Sequence, residues 1–224
     1  MIEVVEREYE VERGLKVVVS NVNGQIKIKG YDGDTLKLKA EKKWGLLSSE
    51  PKIKVKKEGN TLKISAHFEK SVISFGSRSV NFDILVPKSV EVEKVSSVNG
   101  QIQISDISGI LKVSNVNGSI KVENTEVKKL SSVNGSIVAI LRKIKDDSKI
   151  STVNGSIKVY ISPKADVEIF ASTTNGSIRF DIPGMKIEGT KIRFGPKSAV
   201  GVLGDGKYKI KVSTVNGSIS VSTL

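Results

Sequence analysis

Ile150-Ser151-Thr152-Val153-Asn154-Gly155-Ser156-Ile157-Lys158-Val159 is one copy of a pattern that occurs seven times in 224 residues. The copies centre on Asn23, Asn99, Asn117, Asn134, Asn154, Asn175 and Asn216, each followed directly by glycine, at Gly24, Gly100, Gly118, Gly135, Gly155, Gly176 and Gly217. Three residues before each Asn stands a serine (Ser20, Ser96, Ser114, Ser131, Ser151, Ser172, Ser213), four before it an apolar residue, and three after it an isoleucine. Strand side chains alternate, so the apolar residues three and five after the Asn fall on one face. Asn-Gly between two such strands marks a sharp reversal, because both residues accept positive φ at little cost.

A single copy reads as a β-hairpin with a two-residue turn. Seven copies read otherwise. From Asn99 onward the spacings are 18, 17, 20, 21 and 41 residues, the last close to two coils with a degenerate copy between them. A short period with the same residue at the same place is how a solenoid appears in sequence. Its coils stack at ~4.8 Å, so that identical side chains sit over one another; Asn amides then hydrogen-bond along a ladder and Ile residues fill one column. A meander of hairpins makes no such demand. The sequence therefore predicts an all-β fold, a β-solenoid or β-helix-like stack of 17–21-residue coils. The repeated Asn and Gly residues are assigned to a structural turn ladder.

Outward from the repeats, residues 91–224 form the repeat region, interrupted at 183–206 by Pro183-Gly184, Gly195-Pro196 and the glycines from Gly201 to Gly206. One irregular coil and a surface loop are expected there. Residues 1–90 alternate aliphatic and charged residues less regularly and read as a β cap continuous with the coils, since a solenoid end exposes an unpaired strand. Trp44 to Pro51 breaks the alternation and reads as a loop whose Trp44, Leu46 and Leu47 either bury against a sheet edge or form an exposed apolar patch. Phe68, Val72, Ile73 and Phe75 leave a strand pair and a flap equally open for residues 66–80.

Enzyme chemistry finds little to work with. The chain has no cysteine and one histidine, His67, which removes thiolate and zinc sites and leaves one base for any nucleophile. Its acidic residues scatter, and Asp146-Asp147 and Asp32-Gly33-Asp34 sit at turns, where Asp is favoured for backbone reasons. Neither run matches a calcium loop, and no cofactor is implied. Five copies spell the Asn-Gly-Ser glycosylation acceptor, for which turn geometry is a sufficient explanation. No basic, apolar leader opens the sequence at Met1, and no stretch approaches the ~20 apolar residues of a membrane span. If Met1 is the native start, the expected location is cytoplasmic, at the membrane periphery where a partner holds the protein. Abundant Lys and Glu without Cys resemble hyperthermophile composition.

Charge carries the one functional signal. The net charge is +12, and from Arg13 to Lys63 thirteen basic residues face five acidic ones. Lys27, Lys29, Lys37, Lys39, Lys52, Lys54 and Lys56 alternate with aliphatic residues and are expected on one exposed sheet face, where they would attract nucleic acid, an anionic membrane or an acidic glycan. The plainer reading is a solvated face that discourages edge pairing, partly neutralised by Glu8, Glu10 and Glu12.

Pro87 with Val90-Glu91-Val92 after it, the repeated Ser-Val-Asn-Gly-Ser-Ile, and Asp205-Gly206-Lys207-Tyr208-Lys209-Ile210 ahead of the last copy resemble the putative-adhesin domains of unknown function. These occur in bacteria and archaea and are related to auto-transporter adhesin head (GIN) domains. The resemblance runs from about Leu15 to Val221. It implies a β-helix-like fold, no catalytic residues, and a surface, envelope or interaction role. The expected function is a non-enzymatic structural or interaction module with an unknown protein or envelope partner, self-association through its end strands, and polyanion binding as the alternative.

Overall fold

Aliphatic residues alternating with Lys, Ser and Thr between Asn-Gly breaks favour extended backbone throughout. The computed structural model describes residues 1–69, 77–191 and 197–224. Every regular element within them is a strand, so the chain is all-β. Val72, Ile73, Phe75, Gly195 and Pro196 lie outside the described residues. The chain divides into two compact units, Met1–Gly109 and Ile110–Leu224.

Unit 1 contains β1 (Ile2–Glu10), β2 (Lys16–Ser20), β3 (Ile26–Tyr31), β4 (Thr35–Lys43), β5 (Lys52–Glu58), β6 (Thr61–His67), β7 (Ser79–Pro87), β8 (Glu91–Asn99) and β9 (Ile102–Ser105). Strands that precede an Asn-Gly turn lie in a leading sheet, in the order β8-β2-β6-β5; strands that follow one lie in a trailing sheet, in the order β1-β4-β7-β3-β9. The repeat centred on Asn23 is flanked on both sides in parallel: β2 by β6 and β8, β3 by β7 and β9. Three antiparallel strands complete the unit, with β5 on β6, β4 on β7 and β1 on β4. The unit extends past residue 90, the boundary read from the change in regularity, because β8 and β9 pair with β2 and β3.

Unit 2 contains β10 (Ile110–Asn117), β11 (Ile120–Glu123), β12 (Glu126–Ser131), β13 (Ile137–Leu141), β14 (Ser148–Ser151), β15 (Ile157–Ile161), β16 (Val167–Asn175), β17 (Ile178–Asp181), β18 (Lys186–Lys191), β19 (Lys197–Leu203), β20 (Tyr208–Asn216) and β21 (Ile219–Thr223). From β10 to β17 successive strands alternate between a leading sheet, β10-β12-β14-β20-β16-β19-β18, and a trailing sheet, β11-β13-β15-β21-β17; β18, β19 and β20 all join the leading sheet. Among the described residues, no two strands joined by an Asn-Gly turn pair with each other; each pairs in parallel with its equivalent in another repeat. Isoleucines consequently meet isoleucines, in the order Ile120, Ile137, Ile157, Ile219, Ile178. The first four are buried, and each contributes about 1.5–3 kcal/mol relative to exposure.

Spatial order departs from sequence order. The 41-residue interval after Asn175 does not hold a degenerate coil: β18 and β19 form an antiparallel pair added to β16. The last repeat then returns and wedges between two earlier ones, β20 between β14 and β16, β21 between β15 and β17. With β19 occupying one edge of β16, the parallel edge is left for β20.

Candidate functional site

The turns are the most regular feature. In unit 2 the Asn134 Nδ2 donates to Asn117 Oδ1 at 2.9 Å, Asn154 to Asn134 at 2.8 Å, Asn216 to Asn154 at 2.7 Å and Asn175 to Asn216 at 2.7 Å. In unit 1, Asn99 donates to Asn23 at 2.8 Å. None of these Asn residues has positive φ, which among described non-glycine residues belongs to Asp106 and Asn124. The Asn supplies the amide ladder, therefore, and not the backbone reversal.

Glycine is required for a reason beyond φ. A Cβ on Gly155 would sit 2.3 Å from the Gly135 carbonyl oxygen, and one on Gly217 would sit 2.0 Å from that of Gly155. Stacked turns leave no room for a side chain. The carbonyls so packed need donors, and these come from the residue two before the Asn, a small polar residue in every copy. Thr152 Oγ1 donates to Gly135 O at 2.9 Å, Thr214 to Gly155 O at 3.0 Å, Thr173 to Gly217 O at 2.9 Å, and Asn115 Nδ2 to Gly118 O at 3.0 Å. Ser97 is the exception, its buried hydroxyl having no partner. Strand alternation points this position inward, which is the signal in the sequence that reveals it.

The seven lysines expected on one face are divided between two sheets. Lys27, Lys29, Lys37 and Lys39 lie outward on β3 and β4 of the trailing sheet, whereas Lys52, Lys54 and Lys56 lie on β5, the edge of the leading sheet. Local alternation places each lysine outward but does not say which sheet its strand joins. Most are also neutralised. Lys27 meets Asp83 at 3.9 Å, Lys37 meets Glu8 at 3.6 Å and Lys39 meets Glu6 at 2.9 Å, lining a groove of about 460 Å³. The hydrogen bond and charge of Glu6 raise the Lys39 pKa above its ordinary value. Lys52 pairs with Glu69 and Lys56 with Glu58. Exposed pairs of this kind are worth ~0–1 kcal/mol each, but they leave little free positive charge.

Lys42 stands apart. It falls on the inward phase of β4 after Leu36, Leu38 and Ala40, and it is only 5% exposed. Its ammonium reaches Glu3 of β1 at 2.7 Å and Glu50 near the end of the loop, and it lies 5.7 Å from the Trp44 ring centroid. Burial opposes its charge, yet hydrogen bonds to Glu3 and Glu50 outweigh burial and raise its pKa. Trp44 is half-buried beside it, while Leu46 and Leu47 at the loop tip are 85% and 64% exposed; burial against the sheet edge holds for the tryptophan alone.

A second set of lysines escaped the sequence reading. Five residues before the Asn, Lys112, Lys129, Lys149 and Lys211 are cross-strand neighbours in one outward column of unit 2, next to a column of Ser114, Ser131, Ser151 and Ser213. All four lysines are exposed, and none has an acidic partner among the described residues. The remaining singled-out residues are structural or solvent-facing. His67 is exposed; Asp146 binds Lys128 at 2.8 Å, Asp147 accepts from the Lys209 amide at 2.8 Å, and Asp32 meets Lys88 at 3.0 Å. Among the described residues no three His, Cys, Asp or Glu converge on a common point.

Parallel repeats laid turn over turn, with their polar groups turned to one another, define a repeat-built β-protein. The chain belongs to the Toastrack DUF4097 family, whose profile matches residues 89–222. Among solved structures, a putative cell adhesion protein from Clostridium sporogenes is similar over 99% of this chain and 100% of its own, at 17% identity and a TM-score of 0.52. A putative adhesin from Bacteroides fragilis is 17% identical over 98% of this chain and 97% of its own, with a TM-score of 0.47. At such identities the likeness is one of fold. No curated protein matches the chain.

Proposed function

We propose that the chain is a β-solenoid, two strands to a coil, that serves as a non-enzymatic, adhesin-like interaction module of the cell envelope. The observation that carries this reading is the in-register stacking of the turns. The turn Asn side chains and the inward Thr side chains bond from repeat to repeat, so the repeated chemistry is directed at building a stiff surface and not at a reacting centre. Membership of a family of unknown function and the likeness of fold to a putative cell adhesion protein agree with it.

Purified protein is expected to bind isolated envelope polymers saturably, with the polymer recovered chemically unchanged and the protein's own mass defined by light scattering. A polymer shortened or modified at a rate proportional to protein concentration would overturn the reading.

A further inference from the structure

We propose that the lysine column of unit 2 is a binding surface for a linear anionic polysaccharide whose carboxylates follow the stacking direction. This rests on the interaction-module reading and names its ligand class. Parallel, in-register strands put like residues side by side, and like charges directly opposite are destabilising. Elsewhere among the described residues that conflict is avoided or offset: where Lys56 opposes Lys63, Glu58 pairs with both. On the trailing sheet of unit 2, charged residues are separated by neutral ones, Lys121 by Val138 from Lys158 and Lys158 by Ser220 from Arg179. In unit 1, antiparallel strands set lysines against glutamates, as in Lys39 with Glu6 and Lys37 with Glu8.

Among the described residues, only the leading sheet of unit 2 runs lysine on lysine for four strands, Lys112 to Lys129 to Lys149 to Lys211, where Phe170 ends the run. Edge protection does not account for it, because β12, β14 and β20 are each paired on both sides. At ~4.8 Å per strand the four lysine positions follow one another across the sheet, the last with its ammonium 5.9 Å from the Phe170 ring centroid. The neighbouring serine column offers hydroxyls that both donate and accept, the groups that meet sugar hydroxyls. A charged polymer laid along the row would relieve the repulsion and release its condensed counterions. Nucleic acid is the poorer fit, since Phe170 alone adjoins the column and bases have no series of aromatic faces to stack on.

The direct test titrates the full chain with polygalacturonate, with its fully methyl-esterified form as the neutral polymer of the same backbone, and with an oligothymidylate of matched charge. The expected order is tight, salt-sensitive binding of polygalacturonate, at least about tenfold weaker binding of the ester, and weaker binding of the oligonucleotide. Lys129→Glu with Lys149→Glu should lower polygalacturonate affinity at least about tenfold, while the melting temperature holds or rises because Lys112 and Lys211 then face carboxylates. Retained affinity in this double variant, equal binding of the ester, or preference for the oligonucleotide overturns the assignment. Envelope-polymer binding that survives in the double variant moves the contact elsewhere and leaves the module reading in place. Failure to bind any envelope polymer removes both.

Discussion

Units 1 and 2 use the same repeat but finish it differently. In unit 1 the repeat β2–β3 lies between the repeat β8–β9 and the strands β6 and β7, which carry no Asn-Gly turn; in unit 2 the last repeat, β20–β21, is wedged between two others. Unit 2 is then held by neutral chemistry, amide on amide, hydroxyl on carbonyl and isoleucine on isoleucine. Unit 1 adds β1, β4 and β5 antiparallel, and charged pairs hold them, with Lys42 between Glu3 and Glu50 at the centre. Parallel stacking in register opposes like with like, which suits residues that satisfy themselves. Antiparallel addition opposes unlike residues, which lets opposite charges meet. On this view the lysine column of unit 2 breaks the rule of its own sheet, and that is why it invites a ligand.

The comparison can be broken most sharply at the turns. Gly155→Ala forces a Cβ against the Gly135 carbonyl and should cost about 3 kcal/mol, whereas Gly59→Ala, at φ +57° in open space, should cost about 1–2 kcal/mol. Denaturant melts that ranked the two the other way would end the close-stacking account. Next in size is Lys42→Ala, which leaves Glu3 and Glu50 facing each other and should destabilise unit 1 by about 2 kcal/mol. Hydrogen exchange should report the loss in β1 and β4 and leave β12 to β15 protected. Smaller still, Thr152→Val orphans a packed carbonyl at about 1 kcal/mol, while Ser97→Ala, whose hydroxyl has no partner, should be close to neutral. Equal melts for these two would deny the inward polar ladder a role.

Acid should act most weakly and selectively. Lys43 holds Glu41 below its ordinary pKa, Lys42 does so for Glu50, Lys63 and then Lys56 for Glu58, and Lys52 for Glu69. In unit 2 the corresponding group is Asp146, held by Lys128 and the Asp147 amide. A lowered carboxylate contributes stability above its unfolded pKa and loses it as pH falls through the folded value. Between about pH 4 and pH 2, exchange protection should therefore fall in unit 1 before unit 2. The raised lysines Lys39, Lys42 and Lys52 of unit 1, against Lys145 of unit 2, contribute below their ordinary 10.5 and lose that contribution as pH rises through their raised values, so alkali should loosen unit 1 more than unit 2.

Much of this architecture was legible from the chain. The repeated Ser, Asn, Gly and Ile positions point to parallel stacking, and the Ile-on-Ile register is present. Four features required more. The polar residue two before each Asn and the inward Lys42 both lie on the buried phase of a strand, a signal available in the alternation but overshadowed by the apolar residues around it. The division of the seven lysines between sheets depends on long-range pairing, which alternation within a strand does not encode. The wedged last repeat is hidden for the same reason, because equivalent repeats offer equivalent edges and spacing alone does not rank them.

That wedge has a consequence for synthesis. A chain made from its N-terminus presents β14 and then β16 before β20 exists, and by repeat equivalence Ala171 can settle opposite Ile150 in the place that Val212 later occupies. The native order requires β16 to stay unattached or to detach, a long-range rearrangement that slows the final step. Unit 2 should mature only after its last strands leave the ribosome, with a premature docked form as its characteristic trap.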